Sequence, residues 1–275
     1  MDNVFSILIA LAVVGGVGLI AGILLAIFSH CFKVSEDERA KKIREELPGI
    51  NCGACGFKGC DDYAAALATG KAKSNLCVPG GDGVAAKIAD ILGIEAEDTK
   101  EMIAFVHCNG TCDATSKKAA YDGVKTCRAA SGVGGGPNSC LYGCMGFGDC
   151  AAACPVNAIC MRDGIAHVDK TVCIGCGLCA KVCPKHVISL IPLEATTAIM
   201  CNSHDKGAEA RKKCKNACIA CKKCEKSCPS GAISVTDNLA RIDYDKCNAC
   251  GVCAEVCPTG CIKSLVNAAN SSERK

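Results

Sequence analysis

The chain has 275 residues, of which 28 are cysteine, while tryptophan is absent and aromatic residues make up 4%. So few large side chains cannot fill an ordinary hydrophobic core at this length, and the cysteines must supply order through disulfides or bound metal. The formal net charge of +3 does not indicate a nucleic-acid partner, because each site of four thiolates around a 4Fe–4S cluster would add negative charge. We therefore predict no nucleic-acid partner.

Residues 1–32 are predicted to form a transmembrane anchor. The stretch from Val4 to Phe32 contains no Asp, Glu, Lys or Arg, and about 20 apolar residues suffice to cross a bilayer. A secretory signal peptide is the alternative, but it would begin with a basic residue, which this chain lacks. The basic residues of the charged, helix-prone segment 33–47 then predict that the rest of the chain lies on the cytoplasmic side of the cell membrane. Because the cytoplasm keeps thiols reduced, we expect bound metal rather than disulfides.

The first cysteine module is predicted at 48–95. Its four cysteines have the spacing C-x2-C-x4-C-x16-C, and they are Cys52, Cys55, Cys60 and Cys77. A four-cysteine zinc site is the alternative, but zinc ribbons carry a second tight cysteine pair, which Cys60 and Cys77 do not form. The module is therefore predicted to hold a 4Fe–4S cluster.

Three later segments follow the pattern C-x2-C-x2-C-x3-C-P, which is typical of bacterial two-cluster ferredoxins. In that pattern the fourth cysteine ligates the other cluster of the pair. A fourth segment is irregular, because Phe147 stands where a ligand is expected. Cys140, one helical turn before Cys144, is the natural substitute, although another fourth ligand or a lost iron remains open. A shift of 74 residues carries Cys144 onto Cys218 and the later ligands with it, which indicates a duplication.

The duplication predicts two ferredoxin-like domains, at 138–195 and 196–265, followed by a polar tail at 266–275. The crossing rule gives four ligand sets. They are Cys218, Cys221, Cys224 with Cys257; Cys247, Cys250, Cys253 with Cys228; Cys173, Cys176, Cys179 with Cys154; and Cys144, Cys150, Cys183 with Cys140. Cys160 and Cys261 occupy positions that hold other residue types in the sister copies, so Cys261 is predicted to be a small packing residue and Cys160 a non-ligand. Asp163-Gly164 and Asp237-Asn238 predict hairpin turns.

The segment 96–137 carries three further cysteines, Cys108, Cys112 and Cys127. If Cys108 and Cys112 lie on a helix, they share one face. These three thiols suggest another cluster whose fourth ligand is Cys201, Cys214 or Cys140, a choice that the sequence leaves open. The alternative is that they are reduced, buried cysteines that act as small hydrophobes. His107 is predicted to support this site rather than to ligate.

The sequence contains no phosphate-binding glycine loop between a strand and a helix, and no constellation for bond-breaking catalysis. No flavin or NAD site is therefore assigned to this chain. The fold class is predicted to be a small, metal-stabilised α+β fold with one N-terminal helix, a four-cysteine module and tandem ferredoxin-like domains. About five to six 4Fe–4S clusters are expected.

This order of parts resembles the RnfB component of the Rnf complex, especially through Asn51-Cys52-Gly53-Ala54-Cys55-Gly56 and His107-Cys108-Asn109-Gly110-Thr111-Cys112. The resemblance covers nearly the whole chain and is closest to the longer, clostridial type. It implies an electron-transfer subunit of a membrane-bound ferredoxin:NAD⁺ oxidoreductase that translocates Na⁺ or H⁺. The implied partners are soluble ferredoxin as electron donor, the membrane subunits and the NADH-oxidising subunit. The alternatives are a polyferredoxin subunit of a membrane hydrogenase or similar complex, and a zinc-binding or redox-sensing scaffold.

Overall fold

The computed structural model describes residues 2–31, 37–96 and 99–265, with side chains of the first helix described for residues 12–28. The helices are α1 (Asp2–Cys31), α2 (Glu38–Glu46), α3 (Cys60–Ala68), α4 (Gly81–Leu92), α5 (Cys127–Gly132), α6 (Asp149–Ala152), α7 (Leu178–Val182), α8 (Gly207–Lys213), α9 (Lys223–Ser227) and α10 (Val252–Glu255). The strands are β1 (Met102–Val106), β2 (Ile159–Arg162), β3 (Ile165–Val168), β4 (Ile188–Pro192), β5 (Thr197–Ile199), β6 (Ile233–Thr236), β7 (Leu239–Ile242) and β8 (Ile262–Ser264). The predicted α+β character is confirmed.

The first helix, α1, has 30 residues. In the part of the chain that the structure describes, no helix is both long and apolar enough to span a membrane. The structure thus gives no support to the predicted transmembrane anchor at 1–32. The polar tail predicted at 266–275 lies outside the described residues.

The four-cysteine module is built from three helices. Ile43 of α2, Tyr63 and Leu67 of α3, and Ile88 of α4 pack together, each at most 1% exposed. The Tyr63 hydroxyl donates to the Lys73 carbonyl at 2.7 Å and accepts from the Leu76 amide at 3.3 Å. These bonds hold the loop before Cys77 against α3, so the distant fourth cysteine returns to the first three.

Two ferredoxin-like units follow, each with one antiparallel strand pair and one hairpin. The first unit pairs β1 with β4 and β2 with β3, and the second pairs β5 with β8 and β6 with β7. A shift of 74 residues carries β2 and β3 onto β6 and β7. The duplicated hairpins therefore have equal lengths, as the sequence pattern requires.

The first strand pair of the first unit reaches outside the predicted range 138–195. β1 lies in the segment 96–137, and Met102 to Val106 form a register of five pairs with β4. β5 occupies the same place beside β8 in the second unit. The segment 96–137 is thus joined to the first unit by backbone hydrogen bonds.

Both predicted hairpin turns are confirmed. Asp163 and Gly164 have φ values of 49° and 79°, and Asp237 and Asn238 have φ values of 46° and 59°. Positive φ at both central residues is the requirement of a type I′ turn, which matches the twist of two adjoining strands.

The cores of the two units are small and rich in cysteine. The first is formed by residues such as Ala104, Ile165 and Val187 together with Cys144 and Cys179. The second contains Ile199, Leu239 and Ile262 together with several cysteines. The cysteine side chains thus replace large apolar side chains at the centre of each unit.

Candidate iron–sulfur sites

The four cysteines of the first module converge. The pKa of Cys77 is raised to about 11, first by burial and then by the nearby thiols of Cys60, Cys52 and Cys55. The Asn51 side-chain oxygen accepts from the Cys60 amide at 2.8 Å. That bond begins α3 at the third cysteine and fixes the loop that carries Cys52 and Cys55.

This module lies directly against the first ferredoxin-like unit. The ammonium of Lys181, at the end of α7, donates a hydrogen bond to the Cys52 carbonyl. The thiols of Cys52 and Cys176 lie close enough to interact electrostatically. The first module and the Cys173 motif are therefore neighbours.

The structure brings together the four cysteines of the crossed set around the Cys173 motif. Burial raises the pKa of Cys179 to about 11, and the thiols of Cys176, Cys173 and Cys154 add to the rise. Cys154 comes from the Cys-Pro end of the preceding, irregular motif. It arrives through the turn between α6 and β2.

The irregular motif takes a different fourth cysteine from the predicted one. One cavity is lined by the four cysteines Cys127, Cys144, Cys150 and Cys183. Burial raises the pKa of Cys150 to about 12, and Cys144, Cys127 and Cys183 contribute. Cys127 is held there because its amide and that of Arg128 donate to the Asp149 carboxylate at 2.8 and 3.0 Å.

Phe147 explains why Cys127 lies in this set in place of Cys140. Its ring packs against Tyr121, with ring centres 5.6 Å apart, and against the small cluster that contains Cys127, Ala130 and Met145. The aromatic side chain thus supports the inserted helix α5, which supplies the missing thiol. The prediction that Cys140 fills this place is wrong, because Cys140 points into another cavity.

That second cavity is lined by Cys108, Cys140, Cys201 and Cys214, which come from four separate segments, and also by Cys144 of the neighbouring set. A Cβ built on Gly143 would lie 3.5 Å from the sulfurs of both Cys108 and Cys140. A Cβ on Gly110 would lie 3.4 Å from the Cys108 sulfur and 3.8 Å from the Cys214 sulfur. Glycine at both positions leaves room for the four sulfurs to surround one guest.

The four cysteines are related by the duplication in two pairs. Cys108 follows β1 as Cys201 follows β5, and Cys140 corresponds to Cys214. The Cys144 amide donates to the Cys108 sulfur at 3.3 Å, and the Cys218 amide donates to the Cys201 sulfur at 3.3 Å. Each unit thus contributes one equivalent pair of thiols to a site at their boundary. We call this set of four cysteines the central site.

Burial dominates the electrostatics of the central site. It raises the pKa of Cys108 to about 12 and that of Cys201 to about 11. Burial also raises the pKa of Cys214, with a further contribution from Cys140. Thiols with such pKa values are protonated at neutral pH, so binding a metal there requires the release of protons.

The second unit repeats the crossed arrangement for one of its predicted sets. A cavity is lined by Cys218, Cys221, Cys224, Cys257 and also Cys261. In the other set, Cys253 is close to Cys247 and Cys250. Cys228 is half-buried against the core of the same unit, and its place in that set remains a prediction from the crossing rule.

Cys261 packs directly beside Cys257, a predicted cluster ligand. It is 2% exposed, and its sulfur lies 3.7 Å from the sulfur of Cys257. The hydrogen bond between them lowers the pKa of Cys257 to about 4, and the pKa of Cys261 is raised. The structure has the Cys257 sulfur as the donor of this hydrogen bond. Once Cys257 binds a cluster as a thiolate it has no proton to give, and Cys261 would be the donor.

Cys112 does not join a cysteine set, and the segment from 107 to 111 is not helical. The Cys112 amide donates to the Asp163 carbonyl at 2.9 Å, which draws this side chain towards the β2–β3 turn and leaves it exposed. The expectation that Cys108 and Cys112 share a helical face is therefore wrong. Cys160 is exposed on β2, away from the sets.

His107 links the two units instead of ligating. Its Nδ1 lies 2.7 Å from the Ile199 carbonyl, and its Nε2 lies 2.6 Å from the Ser189 hydroxyl. Because a carbonyl only accepts, Nδ1 carries the proton and Nε2 accepts from the hydroxyl. Burial lowers the pKa of His107, which agrees with this neutral form.

Sequence reasoning missed the roles of Cys127 and Cys140 for one reason. The 74-residue shift maps Cys127 onto Cys201, but the insertion between β1 and Cys140 breaks that register. The better signal was a Cys-Asn pair directly after an apolar strand. It occurs as Cys108-Asn109 after β1 and as Cys201-Asn202 after β5.

The residues present fit cuboidal iron–sulfur clusters. The cavities of the central, Cys144 and Cys218 sets have empty volumes of about 420, 350 and 320 Å³, and each is lined by at least four cysteines. Cysteine thiolates are the usual ligands of such clusters. Within the described ranges, no three His, Cys, Asp or Glu side chains are arranged to hold a single metal ion.

Three known families match parts of the chain. Residues 47–79 match the family described as "Putative Fe-S cluster". Residues 166–189 match "4Fe-4S binding domain", and residues 217–261 match "4Fe-4S dicluster domain". The prediction of iron–sulfur domains in these three parts of the chain is confirmed.

Three relatives match most of the chain. The B subunit of the Na(+)-translocating ferredoxin:NAD(+) oxidoreductase complex of Acetobacterium woodii is 43% identical over 88% of this chain and 73% of its own length. The B subunit of the proton-translocating ferredoxin:NAD(+) oxidoreductase complex of Clostridium ljungdahlii is 42% identical, over 88% and 85%. The B subunit of the ion-translocating oxidoreductase complex of Methanosarcina acetivorans is 40% identical, over 88% and 92%. The chain therefore belongs to the RnfB family, the B subunits of ion-translocating, Rnf-type oxidoreductase complexes.

Proposed function

We propose that this chain is the electron-transfer subunit of an ion-translocating ferredoxin:NAD⁺ oxidoreductase and holds six 4Fe–4S clusters. The proposal is carried by the convergence of twenty cysteines in five sets of four, to which the crossing rule adds a sixth. These are the first module, the Cys173 set, the Cys144 set with Cys127, the central site, the Cys218 set and the Cys247 set with Cys228. The cysteines left over are Cys31, Cys112, Cys160 and Cys261.

A bound 4Fe–4S cluster supplies one-electron oxidation and reduction at low potential. The chain itself supplies thiolates, hydrogen bonds to those thiolates and a shell that excludes water. The amides of Cys144 and Gly110, for example, both donate to the Cys108 sulfur. Such donors stabilise negative charge on the sulfurs and thereby tune the potential of the site.

Three contacts between sets show which of them are neighbours. The first module adjoins the Cys173 set through Cys52 and Cys176. The Cys144 set adjoins the central site through the hydrogen bond from the Cys144 amide to Cys108. The equivalent bond from Cys218 to Cys201 joins the central site to the Cys218 set. The central site is therefore the junction between the two ferredoxin-like units.

We propose that α1 attaches the chain to the membrane as a single-pass anchor, with the iron–sulfur units on the cytoplasmic side. The sequence is uncharged from Val4 to Phe32, which is longer than the roughly 20 apolar residues that a span requires. Large apolar side chains there are 50–71% exposed, including Val14, Leu19 and Leu25. Such a surface requires a partner or a lipid environment.

Deleting residues 1–32 tests the anchor. We expect the shortened chain to be soluble without detergent and still brown, whereas the full chain partitions with membranes. If the full chain stayed in the soluble fraction when it was produced with its partner subunits, the anchor proposal would fail.

Iron and acid-labile sulfide analysis of the anaerobically purified full chain tests the proposed function. Six sites predict about 24 iron and about 24 sulfide per chain, with electron paramagnetic resonance signals that appear on reduction. Zinc in place of iron, without labile sulfide, would contradict an electron-transfer role. In the assembled complex, loss of these signals should also abolish ferredoxin-dependent NAD⁺ reduction.

A further inference from the structure

The two ferredoxin-like units differ sharply in charge at equivalent positions. Residues 206–226 of the second unit contain eight Lys or Arg and two Glu. The segment that corresponds to them in the first unit, 132–152, contains no Lys or Arg and a single Asp. The helix α8 has no helical counterpart in the first unit, but α6 forms at the position of α9 without a basic residue. The folding of that part of the unit therefore does not require the charge. The basic residues of α9 and of the position before it therefore need a different explanation.

Most of this positive charge is not neutralised. Lys212 pairs with Glu209 at 2.8 Å, Lys213 with Asp205 at 2.8 Å, and Lys222 with Glu225 at 3.6 Å. Among the residues that the structure describes, five others have no acidic side chain within 4.0 Å, and all five are exposed: Lys206, Arg211, Lys215, Lys223 and Lys226. We call these five residues together with Lys222 the basic surface.

The basic surface adjoins an exposed predicted ligand. Cys221 is exposed, and Lys222 and Lys223 follow it directly at the start of α9. The start of α8 lies against the same loop, because a Cβ built on Gly207 would lie only 2.4 Å from the Ile219 carbonyl oxygen. Lys206 is therefore beside the loop that carries Cys221.

The first unit lacks both features at the same place. Its counterpart of Cys221 is Phe147, whose ring packs on Tyr121, and its fourth thiol, Cys127, is buried. The second unit thus combines positive charge with an accessible sulfur, and the first unit has neither. This coincidence indicates a surface at which electrons enter or leave the chain.

We propose that the basic surface docks an acidic one-electron carrier protein, which exchanges electrons with the chain beside Cys221. The inference rests on the proposed function and adds the place and chemistry of partner recognition. In each encounter the reduced carrier loses one electron and the chain gains it. A charged rim mainly accelerates association and aligns the partners, and its effect weakens as salt rises.

An anionic lipid surface or a nucleic acid could also contact lysines. Neither partner would benefit from an exposed cluster ligand within the contact area, whereas electron exchange requires a short distance between donor and acceptor. The exposed Cys221 therefore favours a redox protein, and the other two partners become outcomes of the test.

The test uses the full, cluster-loaded chain in detergent and the double variant Lys223→Glu/Lys226→Glu. The matched control is Lys41→Glu/Lys42→Glu on α2, which makes the same change in charge at two exposed lysines. The probe is a purified acidic two-cluster bacterial ferredoxin. Binding is measured by calorimetry between low and high salt, and reduction is followed by stopped-flow absorbance.

At low salt we expect the Lys223/Lys226 variant to lose about tenfold in affinity and association rate. Its dependence on salt should be shallower, and the control should change by less than about twofold. Equal effects of the two variants, or no effect of either, would overturn the proposal. So would an unchanged ferredoxin affinity together with lost binding to anionic vesicles or to DNA.

Iron content and reduction by the methyl viologen radical cation distinguish a failure of docking from a failure of the proposed function. If both variants keep full iron and accept electrons from viologen, a loss of ferredoxin binding concerns docking alone. If the unmodified chain contains no labile sulfide, the proposed function fails whether or not ferredoxin binds.

Discussion

At the scale of single residues, the surroundings of Cys261 indicate how this chain tunes the reduction potential of a cluster. Its sulfur is 3.7 Å from Cys257, and it lines the same cavity as the Cys218 set. A metal-bound thiolate carries no proton, so the hydrogen between these two sulfurs belongs to Cys261. The equivalent residue in the first unit is Val187, which cannot donate.

Replacing Cys261 should therefore shift the reduction potential of one site only. Reduction adds negative charge to a cluster, and a hydrogen-bond donor stabilises the reduced form more than the oxidised form. We expect Cys261→Ala to lower the potential of the Cys218 site, while Cys261→Ser keeps a donor and stays closer to the original value. Potentiometric titration monitored by paramagnetic resonance measures this, and an unchanged potential in Cys261→Ala would refute the tuning role.

A second prediction at this scale concerns Cys127, which lies in the Cys144 site where Cys140 was expected. Cys127→Ala should remove or alter the resonance signal of the Cys144 site, and Cys140→Ala should affect the central site. Cys183→Ala should give the same spectrum as Cys127→Ala, since both thiols line one cavity. Cys112→Ser serves as the control, because Cys112 is exposed and outside the sets. Matching spectra for the Cys140 and Cys183 variants would restore the assignment expected from the sequence.

The sequence predicted the regular ligands but not this exchange, and the reason is physical. In the regular motifs, three ligands lie within a single loop and short helix, so spacing alone indicates their geometry. Cys127 and Cys108 reach their sites only through tertiary contacts, such as the Asp149 carboxylate that holds the start of α5. No local pattern encodes a contact between residues 22 positions apart.

At the scale of elements, the hairpins were predictable and the strand pair β1–β4 was not. Asp163-Gly164 and Asp237-Asn238 specify their own turns through positive φ. β1 and β4 are about 85 residues apart, and strand pairing over such a separation leaves no local signal. The apolar run Ile103 to Val106 could be read as strand but not assigned to a partner.

Asp149 joins two elements, and its removal should weaken one site selectively. It begins α6 and accepts from the first two amides of α5. We expect Asp149→Ala to cost about 1–2 kcal/mol, as for a lost helix cap, and to speed iron release from the Cys144 site. Release is followed by absorbance in the presence of a chelator. Asp122→Ala, at an exposed position, should release iron at the original rate, and equal rates for the two variants would contradict the linking role of Asp149.

At the scale of the whole molecule, the cores are too small to hold the two units without metal. Buried thiols occupy positions at the centre of each core, next to cavities of about 320 to 420 Å³. A core that buries thiols in place of large apolar side chains removes less apolar area from water and gains less stability. Native domains have only about 5–15 kcal/mol of stability, so cores this poor in large side chains depend on the metal that their cysteines bind.

Removing the iron should therefore unfold the ferredoxin-like units. We expect anaerobic chelation in the presence of a thiol reductant to abolish the β-sheet signal in far-ultraviolet circular dichroism and to expose residues 102–264 to protease. The helices α2, α3 and α4 should resist longer, because Ile43, Tyr63, Leu67 and Ile88 form a core of large side chains. Reconstitution with iron and sulfide should restore the signal. A chelated chain that kept its β-sheet spectrum and its resistance to protease would contradict the view that metal ligation determines this fold.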